Sequence, residues 1–411
     1  MYITQKNRLK FNNKEYELIL KLCRLSKNLY NVTLYETRQF YIRNDSFLVY
    51  AKAYHIVKEN ENYKQMPKQT AQQTMKVIER NMRSFFGLLR ERKKGNYNRQ
   101  VGLPRYLQKD GYFDLIFQKD QFKIIDNKVR LSLGNYFSKR FNSKYLYVPL
   151  SKNIIGKQIK EVRINPKANG KRLYVEYIYK IESEKPELNS NEYLSIDLGL
   201  DNFATIVSTT TNEPPIILYG RGLKSFNRWW NKEKSRLDSI YENNKVKTGR
   251  KMLTLFDRRF GYINNIMNQY VNFIIKYCIK NKIGNIVIGE LQNIKQEQNH
   301  GKVNNQNFQT IPYGIFKRKL KGKCERYGII YIETDEAYTS KCDALSFEPI
   351  KKHEKYSGKR IHRGLFKSSI GKVINADVNG ALNILRKVSG DSVARRIIGS
   401  GFVYNPKRIY V

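Results

Sequence analysis

The chain has 411 residues, and its 77 Lys and Arg against 36 Asp and Glu leave a formal net charge of +41. That balance calls for a polyanionic partner, while 40% hydrophobic and 13% aromatic residues are enough to bury substantial cores in two to four domains. The first residues lack a signal peptide's apolar core and no stretch approaches the ~18 apolar residues of a spanning helix, which argues against a secreted or membrane protein. The expected setting is therefore the cytoplasm, associated with a prokaryotic nucleoid.

Leu18, Leu22, Leu25, Leu29 and Val32 recur at spacings of four and three, as do Ala71, Met75, Ile78, Met82, Phe85 and Leu89. Both runs predict long amphipathic helices packed stripe to stripe, with Lys76, Arg80, Arg83, Arg90, Arg92, Lys93 and Lys94 outside as candidate phosphate contacts. After residues 95–98 the texture changes to short alternating segments, Tyr112–Phe117, Phe122–Ile125, Lys128–Leu133, Leu146–Val148, Lys160–Ile164 and Arg172–Ile178, which read as strands of a small barrel or sheet. Pro186 and the polar run Glu187–Glu192 read as a linker.

Three apolar strands are expected next, at Tyr193–Leu198, Phe203–Ser208 and Pro215–Tyr219. A third long helix carries Phe256, Phe260, Ile263, Met267, Tyr270, Ile274 and Tyr277 on one stripe. Strand Asn285–Gly289, basic helix Gly314–Tyr327, strand Ile329–Glu333, a polar insert (340–372) and a helix opening at Asn375–Asp377 complete the pattern. The low-complexity stretch 295–307 reads as a loop. This order of strands and helices is the connectivity of the ribonuclease H-like fold.

Three carboxylates fall at element ends within it. Asp197 closes the apolar run YLSID, Glu290 closes NIVIGE, and Asp377 opens ADVNGALNIL. A carboxylate ending a buried strand is costly to desolvate unless a cation compensates it. Singly, each acid reads as a strand terminus or helix cap; jointly and in this order they suit hard divalent ions, which take oxygen ligands and assist phosphodiester cleavage. Asp201 reads as turn chemistry.

The segments SIDLGLDNFATI, GELQNIK and NADVNGALNILRK resemble the three motifs of the RuvC-like nuclease in TnpB proteins, transposon-encoded relatives of type V CRISPR nucleases. TAQQTMKVIERNMRSFF, PRYLQKDGYFDLIF and GLKSFNRWWNKEKSRL extend the resemblance over most of the chain. It implies a multidomain α+β protein in which a helical recognition lobe (15–95) interrupts a wedge β-barrel (1–14 and 96–185). A ribonuclease H-like (RuvC) α/β nuclease domain (190–339 and 373–395) follows, with a target nucleic-acid-binding insert (340–372) and a C-terminal tail (396–411).

The implied activity is RNA-guided cleavage of double-stranded DNA beside a short target-adjacent motif, by one monomer per guide RNA. Asp197, Glu290 and Asp377 would be the ligands of two Mg2+ ions. A guide-directed DNA-binding regulator without cleavage and a transposase are the alternative readings. Regions proposed to meet nucleic acid are Arg92–Lys109, Lys224–Lys234 (with Trp229 and Trp230, each read as core) and Lys317–Arg326.

The insert departs from the family pattern. Thr339-Ser340 is followed by Cys342 alone, without the two Cys pairs of a zinc ribbon, and only His353, His362 and the distant Cys324 could add ligands. A closed zinc site needs four, so no zinc is expected. Cys23, Cys278, Cys324 and Cys342 form no CxxC pair and read as packing residues.

Overall fold

A computed structural model shows two units, Met1–Glu182 and Ser183–Val411. The described residues are 1–182, 184–210, 213–246, 249–290, 311–362 and 364–410. The expected loop 295–307 and most of GELQNIK lie outside them.

In the first unit, strand β1 (Tyr2–Leu9) precedes helices α1 (Asn13–Asn44), α2 (Tyr50–Val57), α3 (Glu61–Lys64) and α4 (Lys68–Lys93). Asn12 and Glu15 start α1 with a reciprocal capping box that satisfies two orphan N–H groups. The expected stripes are the faces that meet: Leu18, Leu22 and Leu29 of α1 and Ala71, Met75 and Ile78 of α4 are buried. Strands β2 (Leu115–Gln118), β3 (Phe122–Ile125) and β4 (Lys128–Ser132), helix α5 (Gly134–Phe141), and strands β5 (Tyr145–Pro149), β6 (Ile159–Lys167) and β7 (Arg172–Lys180) follow. They form two antiparallel sheets, β1-β7-β6-β2 and β3-β4-β5. Residues 2–9, whose polar alternation gives little local signal, pair along their whole length with β7.

The second unit is built on a six-stranded sheet. Its elements are β8 (Asn189–Leu198), β9 (Asn202–Ser208), β10 (Ile216–Tyr219), α6 (Arg221–Asn243), α7 (Arg250–Lys280), β11 (Ile283–Glu290), α8 (Tyr313–Tyr327) and β12 (Ile330–Asp335). The three-stranded sheet of the insert, β13 (Lys359–His362), β14 (Leu365–Lys367) and β15 (Val373–Asn375), leads into α9 (Ala376–Ser389), α10 (Asp391–Gly399) and β16 (Lys407–Ile409). The large sheet has the order β12-β11-β8-β9-β10-β16. Strands β8, β9 and β10 form an antiparallel meander, and β11 and β12 run parallel to β8. This is the ribonuclease H-like arrangement, and the whole is a multidomain α+β protein.

Leu194 and Ile196 of β8 and Ile286 and Ile288 of β11 face one core with Met267 and Ile274 of α7 and Phe316 and Leu320 of α8. On the opposite face Ser195 Oγ donates to the Ala381 carbonyl at 2.8 Å, fixing α9 against β8.

Several expectations change. The polar residues 189–192 begin β8 instead of linking domains, because Asn189 and Tyr193 take partners on β11. Helix α6 stands between β10 and α7. On α7, Phe256 and Phe260 are 45% and 56% exposed, whereas Met252 and Leu255 are buried against Trp230 and Leu237 of α6. The N-terminal half of α7 packs on a helix and its C-terminal half on the sheet, so its buried stripe shifts around the axis.

Candidate nuclease site

Parallel strands end on the same side of a sheet, so β8 and β11 carry the acids that terminate them to one edge. Asp197 is the penultimate residue of β8, and Glu290 is the last of β11, two residues beyond the Ile288–Ile196 pair. Helix α9 delivers Asp377 in its first turn, where the Asn375 side chain caps the Asp377 and Val378 N–H groups. Its close approach depends on Gly380, since a Cβ there would lie 2.7 Å from Asp197 Oδ2.

Asp197 lies deep in the protein yet keeps some solvent-accessible surface. Burial pushes its pKa well above the usual carboxylate range. The charges of Glu336 and then Asp377 push it further, while Arg360 opposes them. Negative charge has therefore been gathered where desolvation penalises it, and the donors are all hard carboxylate oxygens, the set that suits Mg2+. Asp377 Oδ2 accepts from Asn202 Nδ2 at 2.7 Å, and its Oδ1 lies 3.8 Å from Arg360 Nη2 on β13.

The expected triad is thus brought to one edge with a different emphasis. Strand alternation puts Gly289 on the Asp197 face and Glu290 on the face of Ile286 and Ile288. The carboxylates that act on Asp197 most strongly are Glu336 and Asp377. Among the described residues no three His, Cys, Asp or Glu side chains are close enough to share one ion. Glu336, Asn202 and Arg360 were not singled out from the sequence. Asn202 stands inside the quoted SIDLGLDNFATI segment, and Glu336 follows directly on the end of parallel strand β12, the one local signal available. Asp201 forms an ion pair with Lys224 at 2.8 Å.

In the insert, the bonding of the residues weighed as zinc ligands is largely local. Cys342 Sγ lies 3.5 and 3.6 Å from the carbonyls of Pro349 and Lys351, and His353 Nε2 is 2.7 Å from the Pro349 carbonyl. Cys324 is in the core between α7 and α8. What ties the insert together is a pair of buried carboxylates. Asp343 Oδ1 accepts from the N–H groups of Leu345 (3.1 Å) and Ser346 (3.4 Å). Its Oδ2 accepts from Ser368 Oγ (2.6 Å), Ser369 N (2.8 Å) and Ser369 Oγ (3.0 Å). Glu348 accepts from Asp343 N and from Ser357 N and Oγ. Asn379 and Asn383 of α9 then hold this knot by the Cys342 carbonyl.

Of the candidate nucleic-acid segments, Lys224–Lys234 lies on α6. Trp230 is core there, 7% exposed with Nε1 donating to the Leu255 carbonyl, whereas Trp229 is 36% exposed beneath Arg258. In Lys317–Arg326, Lys317 is engaged with the Gly289 carbonyl and Glu333, and Arg326 with Glu184.

A sheet of this order, with acids at the carboxyl ends of its central strands, defines the class, a ribonuclease H-like α/β fold. Residues 176–295 match the OrfB_IS605 family model, described as "Probable transposase", and residues 313–384 match the "Cas12f1-like, TNB domain" model. The TnpB-like protein ORF457 of Acidianus two-tailed virus is 24% identical over 93% of this chain and 86% of its own. The chain is thus similar to a TnpB-like protein over most of its length and to these two family models over parts of it. Its fold is similar to the Cas12f1 of a Cas12f1–sgRNA–target DNA complex, at TM-score 0.64 and 16% identity over 91% of this chain and 83% of that one. It is also similar to the mini-RNA-guided endonuclease CRISPR-Cas_phi3, at TM-score 0.52 and 10% identity over 96% and 92%. Among the described residues no helix is long and apolar enough to cross a membrane.

Proposed function

We propose that this protein is an RNA-guided DNA endonuclease that binds a guide RNA, opens double-stranded DNA beside a short target-adjacent motif, and cuts both strands at one RuvC-like, Mg2+-dependent site. The observation that carries this reading is the deep Asp197 carboxylate with the Asp377 charge beside it at the strand ends. Similarity to a TnpB-like protein and a fold like that of a guide- and target-bound Cas12f1 support it. The +41 charge supplies a reason to bind RNA and DNA together.

In this reading Asp197, Glu290 and Asp377 hold the metal, and two such ions supply activation of water and stabilisation of the leaving oxygen. Asn202 fixes the orientation of Asp377 through its 2.7 Å hydrogen bond. Arg360, more than half exposed, offers positive charge to a phosphate at the same edge. Reading of the adjacent motif is assigned to the helices of 15–95 and the strands of 1–14 and 96–185, and target binding to the insert 340–372. Base pairing with the guide reads the rest.

The test is plasmid cleavage beside a gel shift, using protein loaded with its co-purified RNA. Asp197→Ala, Glu290→Ala and Asp377→Ala should each abolish cutting of both strands while target binding is retained, because binding rests on base pairing and dispersed Lys and Arg. A variant that cuts at the normal rate removes that acid from the site. Wild-type protein that binds but never cuts favours a regulator, and cutting without RNA favours a transposase.

A further inference from the structure

Beyond the triad, one acidic side chain lies against the same edge with no assigned task. Glu336 follows β12, whose neighbour β11 ends at Gly289-Glu290, with Glu290 opposite Asp335. Its carboxyl group occupies the space a side chain at position 289 would need: a Cβ on Gly289 would come within 1.8 Å of Glu336 Oε1 and 2.3 Å of its Cδ. Glycine at 289 is thus a seat for that carboxylate, on the face of the sheet that carries Asp197. Glu336 Oε1 is buried and has no hydrogen-bond partner among the described residues. An orphaned buried carboxylate oxygen is costly, so its retention asks for a ligand. Lys317, the cation that acts on Glu336 most strongly, gives its ammonium to the Gly289 carbonyl and to Glu333.

We propose that Glu336 is a fourth carboxylate of the cation site, seated on the Gly289 backbone with its free oxygen directed to an ion shared with Asp197. The inference rests on the reading of Asp197 and Asp377 as a metal centre. It also accounts for the strand alternation, which turns Gly289 rather than Glu290 toward Asp197: the β11–β12 edge supplies its nearest carboxylate from the residue after β12. Because a fourth acid adds negative charge, the site would bind hard divalent ions more tightly than a triad and hold them before nucleic acid arrives.

The experiment titrates Mn2+ alone into nucleic-acid-free, full-length protein and follows free Mn2+ by electron paramagnetic resonance. The proteins are wild type, Glu336→Gln, Gly289→Ala and Asp197→Asn, with circular dichroism as the check on folding. Glu336→Gln should weaken Mn2+ binding about tenfold or more, on the scale of losing a charged ligand. Gly289→Ala, which keeps every charge but unseats the carboxylate, should reproduce most of that loss, and it carries the test if the glutamine variant misfolds. If Asp197→Asn loses Mn2+ while both other variants bind within twofold of wild type, the role of Glu336 is overturned and the metal centre stands. If Asp197→Asn also binds normally, the metal centre is overturned and this inference with it.

Discussion

Replacing Asp343 tests whether a carboxylate knot does in this insert the cross-linking a zinc ion would do. The side chain is fully buried and takes five hydrogen bonds from residues up to 26 positions away. In Asp343→Asn one oxygen becomes an NH2 group. The amide can keep its oxygen toward Ser368 and Ser369, whose hydrogen bonds are the shorter set, and turn its NH2 toward the Leu345 and Ser346 N–H groups, which cannot rotate away. Losing the charge and stranding one good N–H should cost about 2 kcal/mol, and Asp343→Ala, which strands both clusters, about 3–5 kcal/mol. The first figure corresponds to roughly 30-fold faster hydrogen exchange if the insert opens as a local unit. Mass-spectrometric exchange over residues 340–372 reads this directly, with and without a zinc-selective chelator. Unchanged protection in the asparagine variant, or protection lost from wild type on chelation, refutes the reasoning. Burial raises the Asp343 pKa, but the hydrogen bonds from Ser368 and Ser369 outweigh it and hold the carboxyl below its ordinary 3.8. Its stabilisation is therefore present above that value and is lost as pH falls through the depressed folded pKa, so the insert should open in acid.

Burial, only partly offset by Lys317, raises Glu336 from 4.5 to about 7. A carboxyl raised on folding favours the folded state at low pH, so metal- and RNA-free protein should lose on the order of 2 kcal/mol between pH 4.5 and 7. Urea denaturation at pH 5 and 8 should show that loss in wild type, and a Glu336→Gln variant with the same loss would contradict it. Gly380→Ala gains helix propensity of roughly 1 kcal/mol but sets a Cβ against Asp197 Oδ2, so melting should change little while cleavage falls about tenfold or more. A cleavage rate equal to wild type would show that the clash relaxes elsewhere. Trp230→Ala should cost about 3–5 kcal/mol by emptying the α6–α7 core, and Trp229→Ala less than about 1 kcal/mol. Thermal melts of the two variants check the order.

Elements whose signal is local are legible along the chain. Alternating fours and threes located α1, α4 and the body of α7, and apolar runs closed by an acid located β8 and β11 with Asp197 and Glu290 at their ends. Asn375 three residues before a helical stripe likewise announced the turn that holds Asp377. Which faces are covered depends on the packing of distant segments. Trp229 and Trp230 are about 100° apart on one helix, and the neighbour α7 selects Trp230 for the core. Phe256 and Phe260 stay outside because α6 meets Met252 and Leu255 instead. The site has the same division: Asp197, Glu336, Arg360 and Asn202 come from four strand ends or edges, and sheet order and glycine seats at 289 and 380 bring these side chains to one edge. A pattern along the chain records which residues are apolar or acidic. Which of them share a cleft depends on contacts between segments far apart in sequence, and those exist only once the sheet has closed.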